Sequence, residues 1–291
     1  MGFYFFRLLS RLPFRFLYVI SDVLYFLLAH VVRYRREVVQ SNLRRAFPEK
    51  SVRDIQRISR LFYRNLADIL VETLKLPALS EKQLKQRTRF TNPEIVRPLL
   101  ARGPVLIMAS HQSNWEWAPA AAQLNGFPAD SVYKPLVSPF FEDLVFRIRS
   151  TFGVRPIPMH RLLREMVARQ GEPRLIALVA DQIPDWPENA HWIPFLHQDT
   201  AFYPGTERLA RRSNLPVVYV EMIRVGRGRY ELTFHLIAQP PYESLPDGAI
   251  IERYRDLLEI TIRKMPSDWL WSHKRWKHQR TDYEAIKTKL E

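Results

Sequence analysis

Pro104-Val-Leu-Ile-Met-Ala-Ser-His-Gln-Ser-Asn-Trp-Glu-Trp117 decides how the chain is read. Its first half is a short, continuous apolar run, the signature of a strand buried on both faces. Its second half is polar and aromatic and follows the strand without a gap. Open α/β sheets bind ligands at the carboxyl ends of parallel strands, so this stretch predicts both the fold class and the place of a site.

Outward from it, the chain alternates. Ser131-Val-Tyr133 and Val154–Ile157 are further strand candidates, and Arg174-Leu-Ile-Ala-Leu-Val-Ala180 is the strongest buried strand in the sequence. Leu215–Ile223 and Tyr230–Ile237 complete the set. Helical periodicity falls at 139–151, 160–170, 204–213 and 249–264, and a Pro/Trp-rich stretch at 183–200 reads as a loop. Residues 51–75 read as a helix capped by Ser51, with Ile55, Ile58, Leu61, Phe62 and Leu66 on its apolar face. Continuous apolar strands alternating with helices predict an α/β fold with a mixed, mostly parallel sheet flanked by helices. The expected division is an N-terminal membrane-associated helix over 1–36 and a single α/β domain over 37–291.

The N-terminus is a different kind of sequence. Phe16–Val32 is the longest run there without a basic residue, 17 residues that still include Asp22 and His30. On a helical projection Arg7, Arg11, Arg15, Tyr18, Asp22, Tyr25, Ala29, Arg33 and Arg36 share one narrow sector, and the rest is largely Leu, Phe, Val, Ile and Tyr. Such a helix can lie in a membrane interface with Arg reaching phosphates, or insert and turn its polar stripe toward the protein. The plain alternative is a buried core helix. Were it to span, Arg33, Arg35, Arg36, Arg44 and Arg45 after it outnumber Arg7, Arg11 and Arg15 before it, which predicts a cytoplasmic main domain.

Composition narrows the chemistry. The 291 residues contain no Cys, which excludes disulfides, thiolate zinc sites, Fe–S clusters and a cysteine nucleophile. Nine Gly, with no G-x-G-x-x-G, Walker or G-x-S-x-G pattern, speak against glycine phosphate loops and an elbow serine. The charge is +14, from 44 Lys and Arg against 30 Asp and Glu, and calls for an anionic partner. The first 50 residues carry nine basic residues against three acids where apolar density is also highest, a pairing that suits a membrane surface better than a nucleic acid.

Within the opening stretch, His111 and Glu116 are the candidate chemical pair. On a continuous helix five steps turn through about 500°, leaving the two side chains about 140° apart. They can meet only if the chain breaks between them, and Ser113 or Asn114 as an N-cap would supply that break. Glu116 could then accept from one imidazole N–H and raise the basicity of the other nitrogen, making His111 a base for a hydroxyl. Alone, the pattern fits an ordinary capped helix with satisfied polar groups equally well.

Several ordered blocks change that balance. His111-Gln-Ser-Asn114-Trp115-Glu116, Tyr133-Lys134-Pro135-Leu136 with Arg147-Ile-Arg149-Ser-Thr-Phe152-Gly153, Asp181-Gln182, Pro204-Gly205-Thr-Glu-Arg208-Leu209-Ala210 and Trp269-Leu-Trp271-Ser-His273-Lys274-Arg275-Trp276 resemble the late acyltransferases of lipid A biosynthesis. The apolar N-terminal helix and Asn42-Leu43-Arg44-Arg45-Ala46-Phe47 fit as well, so the resemblance covers nearly the whole chain. These enzymes belong to the wider glycerolipid-type acyltransferases with an H-x-x-x-x-D/E signature. The resemblance implies a glycerolipid acyltransferase-like fold and direct transfer of an acyl chain from a carrier thioester to a lipid hydroxyl, with no acyl-enzyme. His111 would be the general base and Glu116 its orienting partner.

Asn114, Lys134, Arg149, Asp181, Gln182, Gly205 and Arg208 would contact substrate. For Asn114 a helix cap is the competing reading, and for Asp181 a turn cap. No metal or cofactor is expected, because the donor, acyl carrier protein or acyl-CoA, is a co-substrate. The acceptor would be a lipid A precursor or related anionic glycolipid. The enzyme would sit at the inner (cytoplasmic) membrane with its catalytic domain on the cytoplasmic face.

Two departures bear on the acceptor: Lys134 stands where Arg is usual, and Leu196-His197 where Phe-Gly is common. The same chemistry on a phospholipid, aminolipid or other glycolipid is the alternative, and water in place of the acceptor would make a hydrolase. Trp269, Trp271 and Trp276 among basic residues read as a headgroup belt. A membrane-anchored nucleic-acid-binding protein is disfavoured, since the basic residues are not gathered on one recognisable module, and no nucleic acid partner is expected.

Overall fold

The computed structural model describes residues 2–184 and 190–281. Residues 185–189 of the expected 183–200 loop, and the last ten residues of the expected 37–291 domain, lie outside that description.

The described strands are β1 (Thr88–Phe90), β2 (Val105–Ala109), β3 (Ala129–Tyr133), β4 (Arg155–Pro158), β5 (Leu175–Val179), β6 (His191–Phe195), β7 (Gln198–Phe202), β8 (Val217–Gly226) and β9 (Arg229–Ala238). Seven of them form one sheet in the order β1-β9-β8-β2-β5-β3-β4. Every pairing in it is parallel except β8 with β9. The expected mixed, mostly parallel sheet is therefore what forms.

The α-helices are α1 (Gly2–Arg11), α2 (Phe14–Phe26), α3 (Arg36–Ala46), α4 (Val52–Lys75), α5 (Glu81–Arg87), α6 (Arg97–Leu100), α7 (Ala118–Leu124), α8 (Pro139–Arg149), α9 (Leu162–Ala168), α10 (Gly205–Ser213) and α11 (Ala249–Lys264). The turn of π-helix Leu27–Val31 extends α2. Ser51 caps α4 by accepting from the Asp54 amide at 3.2 Å, a bond of the kind worth about 1 kcal/mol.

The central strand β2 shows why the sheet is covered on both faces. Leu106 and Met108 point into one apolar core, shared with Val39 and Leu43 of α3, Ile55, Ile58 and Phe62 of α4, and Tyr254 and Leu258 of α11. Val105 and Ile107 point into the other, shared with Ala120 of α7, Leu144 and Ile148 of α8, and Leu84 of α5. Successive side chains alternate faces, so a strand buried on both sides must be apolar throughout.

The stretch expected as a loop contains the antiparallel hairpin β6–β7. Proline and tryptophan hid its alternation. Its two-residue turn is Leu196-His197, both at positive φ (48° and 62°), a geometry that favours glycine. Leu196 is fully buried and its amide donates to Glu259. The Leu-His departure is thus a turn held by packing, which gives no ground for reading it as an acceptor contact.

The N-terminal helices dock by their polar side. Ser21 Oγ donates to Asp68 Oδ1 of α4 at 2.6 Å, and Arg227, in the β8–β9 turn, donates to Asp22 and Asp68 at 2.7 Å each. Lys75 Nζ donates to the Ser10 and Leu12 carbonyls at 2.8 and 2.9 Å. Outward, Phe16, Val19, Val23, Phe26, Val31 and Val32 are exposed. Phe14–Val31 is, by length and composition, able to cross a membrane, and only 11% of it is buried. Of the polar stripe, Tyr18 and Asp22 bond to the protein while Arg7, Arg11 and Arg15 are exposed, and the outward apolar face shows that the helix is not buried in this chain's core.

Candidate active site

The sheet register builds the site. β2 and β5 are parallel neighbours with Ala109 opposite Val179. Two residues further along each strand stand His111 and Asp181. The imidazole Nδ1 lies 2.7 Å from Asp181 Oδ1, and the His111 backbone N–H donates to Oδ2 at 2.9 Å. Trp269 Nε1 donates to the same Oδ2 at 2.7 Å. The carboxylate is buried, which pushes its pKa up, but His111 and the N–H donors outweigh burial and hold it below the usual range. An ionised Asp181 accepts a hydrogen bond from Nδ1–H in the tautomer that leaves Nε2 with its lone pair. Gln182 Nε2 lies 3.3 Å from that nitrogen.

Glu116 does not take this position. Its carboxylate is gripped by Arg149, with Nε to Oε2 at 2.8 Å and Nη2 to Oε1 at 2.6 Å. Burial raises the Glu116 pKa, and the Arg149 fork more than compensates, so the group is held below its ordinary value. The expected Glu116–imidazole bond does not form: Asp181, past the end of the neighbouring strand, occupies Nδ1, and Arg149 holds the Glu116 carboxylate. Ser113 has φ 54° and turns the chain, but it is not the expected N-cap: α7 begins only at Ala118, and Glu116 lies in the turn before it. Trp115 spans the gap, its ring edge-on to His111 with centroids 5.1 Å apart and its Nε1 donating to Glu116 Oε1 at 3.1 Å.

The other expected substrate contacts divide. Asn114 is fully buried; its amide donates to Glu72 Oε2 at 2.7 Å and its carbonyl accepts from the Trp117 amide at 3.2 Å. Both ends are engaged within the fold, and the side chain caps the turn. Arg149 is committed to Glu116 and stacked 5.5 Å from the Tyr133 ring, which leaves less of its fork for a free phosphate. Lys134 is exposed just past the end of β3, beside β5 in the sheet. Gln182 reaches the imidazole. A Cβ on Gly205 would lie 2.0 Å from the Tyr203 ring, so a side chain there would have to displace that half-exposed ring. Arg208 is exposed on α10.

Trp269 and Trp271 are buried core residues, contrary to the headgroup belt, and Trp269 serves the site by orienting Asp181. Its 88-residue distance from Asp181 left no local signal. Glu72 was also missed. It continues the buried positions Ile58, Phe62 and Ile69 of α4, and a carboxylate on such an apolar helical face is the signal that could have found it.

A cavity of about 300 Å³ adjoins Gln182, lined by Leu28, Leu66, Leu70 and Leu270 with Arg35 and His273 at its polar side. Among the described residues no group of three His, Asp or Glu side chains is placed to hold a metal ion.

The comparisons agree with the blocks read from the sequence. The family model for bacterial lipid A biosynthesis acyltransferases matches residues 1–278. A lipid A biosynthesis acyltransferase of Haemophilus influenzae (strain ATCC 51907 / DSM 11121 / KW20 / Rd) is 22% identical over 280 residues, covering 93% of this chain and 85% of the relative. With that match over nearly its whole length, the chain belongs to the bacterial lipid A biosynthesis acyltransferase family and is an acyltransferase.

Proposed function

We propose that this enzyme transfers a fatty acyl chain from an acyl carrier thioester to a hydroxyl of a lipid A precursor or related anionic glycolipid, with His111 as general base. The observation that carries this reading is the imidazole whose Nδ1 is engaged by the buried Asp181 and whose Nε2 faces Gln182 at the edge of the cavity. Nε2 removes the acceptor hydroxyl proton while the oxygen attacks the thioester carbonyl carbon. The C–S bond then breaks, and the leaving thiolate takes the proton from the imidazolium. Asp181 stabilises that imidazolium. Positioned base catalysis of this kind contributes roughly 10² to 10⁴ in rate. Glu116 orients Arg149, which keeps a cation near the base for the anionic groups of donor or acceptor. The mostly apolar cavity suits an alkyl chain, with Arg35 toward a polar head.

The reading extends to location. Residues 1–36 act as the membrane-associated segment and 37–291 as the catalytic domain, at the inner membrane on its cytoplasmic face. Six exposed large apolar side chains on α2 and its extension support this, since burying one such side chain gains about 1.5–3 kcal/mol. Exposed Arg7, Arg11 and Arg15 sit beside that surface, where anionic headgroups would meet them.

The test is product analysis by mass spectrometry, with an acyl-acyl carrier protein donor and a panel of lipids. The expected result is one added acyl chain on the lipid A precursor, lost in His111→Ala. Acylation of a phospholipid or aminolipid instead would redirect the acceptor. Free fatty acid as the sole product would make the enzyme a hydrolase.

A further inference from the structure

We propose that Tyr18, on the membrane helix α2, and Glu72 are positioning residues for the catalytic loop, so that the anchor helix is a working part of the active site. The proposal rests on the acyl-transfer reading above and goes beyond it. Glu72 is fully buried, and its two carboxylate oxygens collect three donors from three parts of the chain. Oε1 accepts from Tyr18 Oη at 3.0 Å. Oε2 accepts from Asn114 Nδ2 at 2.7 Å and from Tyr230 Oη at 2.6 Å. The Glu72 backbone carbonyl accepts from Trp117 Nε1 at 2.9 Å. One residue thus ties α2, β9 and the 111–117 loop together.

Among the described residues no cation hydrogen-bonds this carboxylate. Burial raises its pKa, and the Tyr230 hydroxyl, the charge of Arg224 and the Asn114 amide lessen that rise without cancelling it. Removing one donor leaves the remaining bonds to readjust around a buried, under-satisfied oxygen. Asn114 feels that directly, and it stands three residues after His111 and two before Glu116.

The β8–β9 turn is shaped for the same contact. Gly228, at φ +66°, has no Cβ, and one placed there would lie 2.0 Å from the Tyr18 hydroxyl. Only a glycine at this turn lets the phenol reach Glu72.

Docking of α2 does not depend on Tyr18. Ser21, Asp22, Asp68 and Arg227 hold the helix one turn further on, and Lys75 holds the end of α1. Tyr18→Phe therefore removes the link while keeping the helix in place.

The experiment is a double-mutant cycle on the full-length protein in phosphatidylethanolamine/phosphatidylglycerol vesicles. The donor is dodecanoyl-acyl carrier protein and the acceptor a lipid A precursor. Tyr18→Phe is expected to lower kcat about tenfold, the scale of one buried hydrogen bond, with KM and vesicle co-sedimentation unchanged. Asn114→Ala is expected to lower kcat too, and the double variant to be no worse than the poorer single, because both act through Glu72. A Tyr18→Phe kcat within about twofold of the parent, or effects that multiply, would overturn the proposal.

Amide hydrogen exchange over residues 111–117 reads the same link without turnover. Exchange several-fold faster in Tyr18→Phe is expected, and unchanged exchange would contradict it. Should the parent enzyme transfer no acyl chain at all, the acyl-transfer reading fails, and exchange alone decides the link.

Discussion

Asp181, buried, and Glu116, partly buried, are two carboxylates near one histidine, and the fold uses them differently. Asp181 ends a strand that is the parallel neighbour of β2, and the shared register delivers it to the imidazole Nδ1. Glu116 lies five residues along the same chain segment, beyond the turn at Ser113, and pairs with Arg149 at the end of α8. Closeness in sequence brought Glu116 into the neighbourhood, and neighbouring strands brought Asp181 into contact. In a parallel sheet, the partner of a loop residue is best sought past the end of the adjacent strand.

Breaking the Asp181 side should have the largest effect. In Asp181→Asn, the backbone N–H of His111 and Trp269 Nε1 still find a carbonyl oxygen, but the amide NH₂ then faces Nδ1. The proton is forced onto Nε2, where it blocks base action, and kcat should fall about 10³-fold in a thioester-release assay. Folding, read by thermal unfolding, should survive.

Breaking the Glu116 side should cost less. Glu116→Gln keeps the shape but weakens the charge-assisted fork to Arg149, and a loss of about 10²-fold in kcat/KM is expected. Arg149→Lys sharpens the comparison, because it keeps the charge and discards the planar fork. If geometry matters there, Lys should recover no more than about a tenth of the parent kcat/KM.

The smallest effect concerns stability. Burial, aided by the charge of Arg275, lowers the His273 pKa to about 4 from its ordinary 6.5. Between those values the unfolded chain takes up a proton that the folded protein refuses, so stability should fall as pH drops through that window and level off below it. The thermal midpoint of His273→Asn should depend less on pH over the same range.

Much of this was legible beforehand. Pro104–Ala109 and Arg174–Ala180 are apolar without interruption because both of their faces are covered, and that pattern announced the sheet and its active edge. Helical geometry made a break near Ser113 the condition for His111 to meet Glu116; the chain does turn there, but the two do not meet. What stayed hidden was pairing across distance. The strand order decides that Asp181, not Glu116, meets His111, and periodicity carries no strand order. Trp269 and Trp271 could be core or interface by composition, and only burial separates the two. Glu72 had no visible partner because its three donors come from residues 18, 114 and 230.

The most direct test of the division of labour is ¹⁵N NMR of the His111 ring at a pH where it is neutral. Asp181 as the orienting partner predicts a proton on Nδ1 in the parent enzyme and in Glu116→Gln, and transfer of that proton to Nε2 in Asp181→Asn. A tautomer that changes in Glu116→Gln and persists in Asp181→Asn would contradict the account.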